Sequence, residues 1–175
     1  YCRIRLEGEL VPDGRVRQAH PLALLCAQGQ YYLLACYDGS REVRHFRVDH
    51  MRDLVVTGLA AMTPYDLPEF RGGVDMARYA AEHRYMYSGE PVRVTLRMPV
   101  SAAGQVYDAF GHYAQMIPNE DGKTMEVRLR SSLENMRFFA LQYASVCEVL
   151  SPAELREQVR QDVLRIAQRY ADAAT

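Results

Sequence analysis

The residues with chemistry to offer lie between Gln30 and Met51, in the run QYYLLACYDGSREVRHFRVDHM. Tyr31 and Tyr32 stand side by side, and Arg44, Arg47 and His50 surround Phe46. A guanidinium grips phosphate through paired N–H donors and also stacks on rings. Aromatic side chains offer flat faces to planar groups and to cations. Rings set beside arginines therefore suit an anion with flat groups, such as a nucleotide or a short single strand of nucleic acid. No nucleophile and no acid–base pair stands out, so binding rather than catalysis is expected, with no cofactor and no metal.

Those side chains must be positioned by strands. Tyr31–Tyr37 and Val43–Val48 read as two strands joined by a tight turn at Asp38-Gly39. Before them, Tyr1–Leu6 alternates weakly, Pro12-Asp13-Gly14 is a turn signal, and HPLALLC (His20–Cys26) is a strand candidate ended by Gln28-Gly29. DLVVT (Asp53–Thr57) reads as a last short strand. Several short strands with tight turns over residues 1–58 imply a small SH3-like or Sm-like barrel. The chain starts inside the first strand pattern and without methionine, which reads as a piece of a longer protein.

Residues 59–90 read as a connector. Pro64, Pro68 and Gly72-Gly73 interrupt regular structure, and Tyr79, His83 and Met86 recur at helical spacing over about Asp75–Tyr87. From residue 91 to 175 the pattern changes. VRVTLRM (Val92–Met98) alternates, a helix follows around Ala102–Phe110, then strands at Ala114–Ile117 and Met125–Leu129 flank a turn at Asp121-Gly122. Ser131 and Glu134 form a capping-box pair for a helix carrying Leu133, Met136, Phe139, Ala140 and Tyr143 on one side. Val146–Leu150 is the last strand. The order β-α-β-β-α-β is the ferredoxin-like arrangement. Ser151-Pro152-Ala153-Glu154 opens a final helix, with Ser151 as cap, Pro152 in the first turn and an apolar stripe through Leu155, Val159, Val163 or Leu164, Ile166 and Tyr170. The fold class is thus α+β, a small barrel followed by a ferredoxin-like domain and a C-terminal helix.

Composition narrows the functional classes. Of 175 residues, 49% are hydrophobic and 25% charged, as in ordinary globular proteins. No apolar run approaches the roughly 20 residues that span a bilayer, so no membrane partner is expected. A net charge of −1 argues against nonspecific polyanion binding by the whole chain. Base is nonetheless concentrated locally: between Arg15 and Arg52, six arginines and three histidines face Asp38, Glu42 and Asp49. Lys123 is the only lysine in the chain. Cys2, Cys26, Cys36 and Cys147 show neither CxxC pairing nor zinc-ligand spacing, which fits a reduced cytoplasmic setting.

The residues resemble those of the WYL-domain family, with Tyr31-Tyr32-Leu33 in the place of its Trp-Tyr-Leu motif. The likeness extends to His20-Pro21-Leu22 and to Val43-Arg44-His45-Phe46-Arg47-Val48-Asp49-His50-Met51. The second half resembles the WCX extension through Glu148-Val149-Leu150-Ser151-Pro152-Ala153-Glu154-Leu155-Arg156. The resemblance implies the effector-sensing and dimerising part of a bacterial transcriptional regulator, with an Sm-like WYL domain that binds a nucleotide or a single-stranded nucleic acid. It implies a homodimer, and promoter DNA read by an upstream helix-turn-helix domain. Arg44 and Arg47 match the family's basic positions. Tyr31 stands in place of tryptophan, and His50 in place of the usual arginine. The alternative reading is a protein-interaction or dimerisation module with no small ligand of its own.

Alternation separates the candidates. Arg44, Phe46, Val48 and His50 fall on one face of the strand, and Val43, His45, Arg47 and Asp49 on the other. Arg44 and His50 are natural neighbours, whereas Arg47 is either a ligand contact or a structural partner of Asp49. Tyr31 and Tyr32 point to opposite faces, and Tyr32 is the favoured site residue. His20, ahead of Pro21, is read first as a structural hydrogen-bonding group and second as a ligand contact. His83 and His112 have no expected site role. The interleaved charges of the last helix, Arg156, Arg160, Arg165 and Arg169 with Glu154, Glu157 and Asp162, read as a solvated face.

Overall fold

The computed structural model describes residues 1–67, 70, 71, 73 and 75–172. Pro68 and Gly72, two of the expected connector breaks, lie outside the described residues. The chain divides into two compact units, Tyr1–Ala77 and Arg78–Thr175.

In the first unit, β1 (Cys2–Ile4) and β2 (Leu10–Pro12) form an antiparallel ribbon. A separate three-stranded antiparallel sheet runs in the order β3 (Ala19–Ala27), β4 (Gln30–Tyr37), β5 (Arg44–Arg47). The expected barrel is thus represented, among the described residues, by a two-stranded ribbon and a three-stranded sheet. The tight two-residue turn is at Gln28-Gly29, where φ is 51° and 75° and Ala27 pairs with Gln30. Positive φ at both central residues is the geometry that matches the twist of paired strands. The expected tight turn at Asp38-Gly39 is instead the start of a longer connection. Ser40 N–H closes a turn onto Tyr37 C=O at 2.9 Å, and pairing resumes only at Arg44 opposite Ala35.

Two other expectations differ. β2 was not expected; at three residues it is too short to show a period. The apolar run Asp53–Thr57 is not a strand, and Leu54, Val55 and Val56 are exposed. A strand needs a partner edge, and these residues pair with none of the described strands.

In the second unit, β6 (Val92–Pro99), α2 (Ala103–Phe110), β7 (Gln115–Pro118), β8 (Thr124–Ser131), α3 (Leu133–Gln142) and β9 (Glu148–Ser151) follow in the expected order. The sheet is antiparallel with order β7-β8-β6-β9. Alternation sends Val94, Leu96, Met98, Met125, Val127 and Val149 inward, where they meet Val106 and Phe110 of α2 and Met136 and Phe139 of α3. These side chains form one buried core. α1 (Met76–Glu82) contains the division between units and ends five residues before the expected Tyr87, with Met86 at φ 56°.

The helix caps fall one residue later than expected. Ser132, not Ser131, caps α3, its hydroxyl accepting from Asn135 N–H at 3.3 Å. Ser131 ends β8. Consecutive serines are equally able to cap, so the choice depends on where β8 stops. α4 (Ala153–Asp172) begins after the cis Ser151-Pro152 bond, and Pro152 C=O accepts from Arg156 N–H at 3.1 Å. Leu155 is fully buried and Val159 packs on the core, but Val163, Leu164, Ile166 and Tyr170 remain exposed. Only the first half of the expected stripe is covered.

Buried Asn135 ties the stretch after α1 to α3. Its Oδ1 accepts from Tyr85 N–H at 2.8 Å, and its Nδ2 donates to Tyr87 C=O at 3.2 Å. Asp162, also buried, accepts from Arg137 Nε at 2.6 Å and from Nη2 at 3.1 Å, and pairs with Arg165 as well. Arg137 holds the Asp162 carboxyl below the ordinary aspartate value. That half of the charged face therefore fastens α4 to α3.

Candidate anion-binding face

β5 is an edge strand, and its register with β4 decides which side chains share a face. Tyr32 lies opposite Arg47, Leu33 opposite Phe46, Leu34 opposite His45 and Ala35 opposite Arg44. Directly opposed residues project to the same side. Tyr32 and Arg47 therefore belong to one face, and Arg44 and Phe46 to the other.

The Arg44 face carries a cluster of rings. Phe46 meets Tyr1 edge to face at 5.6 Å between centroids and Tyr37 at 5.7 Å. The His50 ring lies 5.7 Å from Tyr1. Arg44 extends over Tyr37, its guanidinium carbon 5.2 Å from the ring centroid, and its Nη2 reaches Glu42 Oε2 at 2.7 Å. Arg17 approaches the same cluster from β3's side of the chain. It sits 5.8 Å from the Tyr1 centroid, donates through Nε to Tyr37 Oη at 3.0 Å, and is held by Asp13. Asp13 is pulled well below the usual carboxylate range by that hydrogen-bonded pair.

Strand alternation stops at Arg47. Val48–His50 form a single 3-10 turn, so the expected co-facing of Arg44 and His50 rests on that turn and on Tyr1 rather than on the strand period. Arg47 N–H donates to Tyr1 Oη at 3.0 Å, which fixes the Tyr1 ring beside Phe46 and His50. Burial raises the Tyr1 phenol above its ordinary value, so it remains a neutral hydroxyl. The Nε2 of His50 is buried and has no hydrogen-bond partner among the described residues. Buried polar nitrogens are nearly always satisfied, so this one lacks the hydrogen-bond partner, donor or acceptor according to tautomer, that such atoms usually have.

Arg47 has partners already. Its Nε and Nη2 donate to Asp49 at 3.1 and 2.7 Å, and Nη2 also reaches Gln30 Oε1 at 3.1 Å. Arg47's hydrogen bond in turn lowers the Asp49 carboxyl. His20 is likewise occupied. Its Nδ1 accepts from Met62 N–H at 3.2 Å, and its Nε2 lies 3.2 Å from Asp38 Oδ1. Tyr31 is exposed at the end of the sheet opposite Cys26, and Tyr32 is half-buried between Leu25 and Arg47.

The five expected site residues thus separate into Arg44 and His50 on the ring cluster, Tyr32 and Arg47 on the other face, and His20 in a hydrogen-bonded position of its own. Sequence reasoning missed Tyr1, Arg17 and Tyr37. The alternation of Tyr31, Leu33, Ala35 and Tyr37 was the available sign for Tyr37. Tyr1 and Arg17 reach the cluster only through the tertiary fold.

Elsewhere, burial pushes the Cys147 thiol up to about 12, which leaves it protonated and unreactive near neutral pH. Among the described residues no helix is long and apolar enough to cross a membrane.

Two family models match the chain in succession, the WYL domain over residues 10–56 and the WCX domain over residues 90–167. No curated protein matches it. Among solved structures it is similar to proteasome accessory factor B/C (PafBC) of Arthrobacter aurescens, at 25% identity and a TM-score of 0.37, covering 82% of this chain and 21% of that one. It is also similar to a CRISPR Cas-related protein, at 11% identity and a TM-score of 0.48, covering 89% of this chain and 43% of that one. The chain therefore spans less than half the length of either solved chain.

Proposed function

We propose that this chain, which belongs to the WYL-domain family of transcription regulators with a WYL domain followed by a WCX domain, senses a negatively charged ligand with planar groups. The ligand class is a nucleotide or a short single-stranded nucleic acid. The observation that carries the reading is the ring cluster of Tyr1, Tyr37 and Phe46, with Arg44 laid on one side and His50 on the other. Arg44 meets a phosphate, and the orphan Nε2 of His50 donates to a ligand oxygen. A base lies against the exposed ring surface.

β5 is the last strand of its sheet among the described residues, so a strand of nucleic acid can pass from the Arg44 face to the Tyr32–Arg47 face across it. On that second face Arg47 contributes by exchanging Asp49 for phosphate, and His20 keeps its structural hydrogen bonds. In this reading the protein binds and does not catalyse, acts in the cytoplasm, and meets promoter DNA through a segment outside these 175 residues. The first unit is Sm-like in this account and the second, with its β-α-β-β-α-β order, ferredoxin-like. The domains are 1–58 and 91–175 with a connector between them. Ligand binding switches the regulator only if one arrangement of the full protein binds it better than another.

The test is titration of short oligothymidylates and of mononucleotides into the chain. Salt-dependent binding that weakens in Arg44→Ala supports the site, and equal binding by wild type, Arg44→Ala and Arg47→Ala refutes it.

A second reading, a self-association module without its own ligand, is favoured by the exposed apolar second half of α4 and by exposed Leu54, Val55 and Val56. Homodimerisation is compatible with both readings. A protein that shows no oligonucleotide or nucleotide binding, yet sediments as a dimer that Ile166→Glu disrupts, would support the second alone.

A further inference from the structure

The second unit has a sheet face opposite the one that α2 and α3 cover. Core alternation on β6 and β8 sends Arg93, Thr95, Arg128 and Arg130 to the side opposite the buried apolar residues. There they line a cleft of about 470 Å³ together with Arg78 and Glu82 of α1, Tyr113 and Gln115. That volume falls within the range of small-molecule sites.

The charges in this cleft are unbalanced. Arg78, Arg93, Arg128 and Arg130 face one carboxylate in the lining, Glu82. Glu82 is shared, lying 3.0 Å from Arg78 Nε and 3.8 Å from Arg130 Nε. Arg128 is held by Glu126 at 2.6 Å, and Arg130 also donates to Pro91 C=O at 2.9 Å. Arg93 makes no ion pair among the described residues, and it stands directly opposite Arg130 in the register. Like charges directly opposed across two strands destabilise a sheet. An anion between them removes that repulsion. The arginine of each pair is about half exposed, so its guanidinium is open to a phosphate from solvent.

We propose that this cleft is a second anion site, separate from the ring cluster of the first unit, and that it takes a ligand with clustered phosphates of nucleoside polyphosphate size. Arg93 and Arg130 clamp one phosphate and Arg128 takes the next, beside Tyr113, which lines the cleft. The shared chemistry is the run of adjacent phosphates, with or without an attached base.

The test uses the full chain at low ionic strength, titrated calorimetrically with ATP and, in a parallel arm, with tripolyphosphate. Both probes should bind wild type, and Arg93→Gln with Arg128→Gln should weaken both by about tenfold or more, as expected for lost charge-assisted hydrogen bonds. Both arms are repeated in the Arg44→Ala background, where the contact proposed for the ring cluster is gone; binding that persists there and is weakened by the Gln pair belongs to the cleft. ATP binding tighter than tripolyphosphate identifies a nucleotide site, and equal binding a polyphosphate site. Thermal melting of the Gln variants checks folding, and Arg93→Lys should keep part of the affinity. Absence of binding by either probe, equal binding by wild type and the double Gln variant, or loss only in Arg44→Ala would overturn the proposal.

Discussion

Arg44 lies over the ring of Tyr37 at 5.2 Å while its Nη2 holds Glu42 at 2.7 Å. Tyr37 is therefore the platform that keeps this arginine extended, and in the proposed function Glu42 is the carboxylate that an incoming phosphate displaces. Both partners of the pair are about half exposed, so the pair itself contributes little to stability.

Removing the competing carboxylate should therefore help binding. Glu42→Gln is expected to tighten oligonucleotide affinity by a few-fold with no more than about 0.5 kcal/mol change in stability, as for surface substitutions generally. Anisotropy titration and a melt of the same sample measure both. Weaker binding by Glu42→Gln would mean that Glu42 orients Arg44 rather than competes for it.

The hairpin turn makes a prediction free of any ligand. Gln28 adopts φ 51°, a left-handed conformation in which asparagine and glycine are at ease. Gln28→Asn should stabilise by about 0.5 kcal/mol, whereas Gly29→Ala, at φ 75°, should destabilise by about 1–2 kcal/mol. Urea unfolding resolves the two signs.

Asn135 satisfies two backbone groups from inside the second unit. Asn135→Leu fills the space but abandons Tyr85 N–H and Tyr87 C=O, at a cost of about 2–4 kcal/mol. The measure is the denaturant midpoint, and a variant as stable as wild type would show that those groups find other partners.

Asp162 gives a pH dependence. Its carboxyl is lowered chiefly by the hydrogen bond from Arg137, so the folded form ionises more readily than the unfolded one. Stability from this pair is fully present above the ordinary aspartate value of 3.8 and is lost as pH falls through the depressed folded value. Wild type should exceed Asp162→Asn in stability at neutral pH, and the difference should shrink in acid below that ordinary value. A pH-independent difference would assign the effect to packing.

What was legible in the sequence follows from how local the signals are. β6 and β8 announced themselves by alternation, β3 and β4 as apolar runs bounded by turn residues, and α3 and α4 by Ser, Pro and apolar spacing, with starts displaced by one residue. The Asp53–Thr57 run looked like a strand because its residues favour one, yet a strand also requires a partner edge, which no local pattern supplies. Similarly, Arg44 and Phe46 were placed together by strand period. His50 joined them through a 3-10 turn and through Tyr1, which is 46 residues distant from Arg47 in the chain. Arg17 and Tyr37 met only after β3 and β4 paired. The Arg47–Asp49 pair was one of two readings from spacing, and Arg47 Nε and Nη2 donate to Asp49.

The central claim is that Arg44 on its ring platform binds an anionic, base-bearing ligand. Fluorescence anisotropy of a labelled short oligothymidylate, titrated with wild type and Arg44→Ala across a salt series, addresses it directly. The account predicts salt-dependent binding that Arg44→Ala weakens by about tenfold, the scale of one charge-assisted contact, with unchanged thermal stability. Identical isotherms for the two proteins at every salt concentration would contradict it.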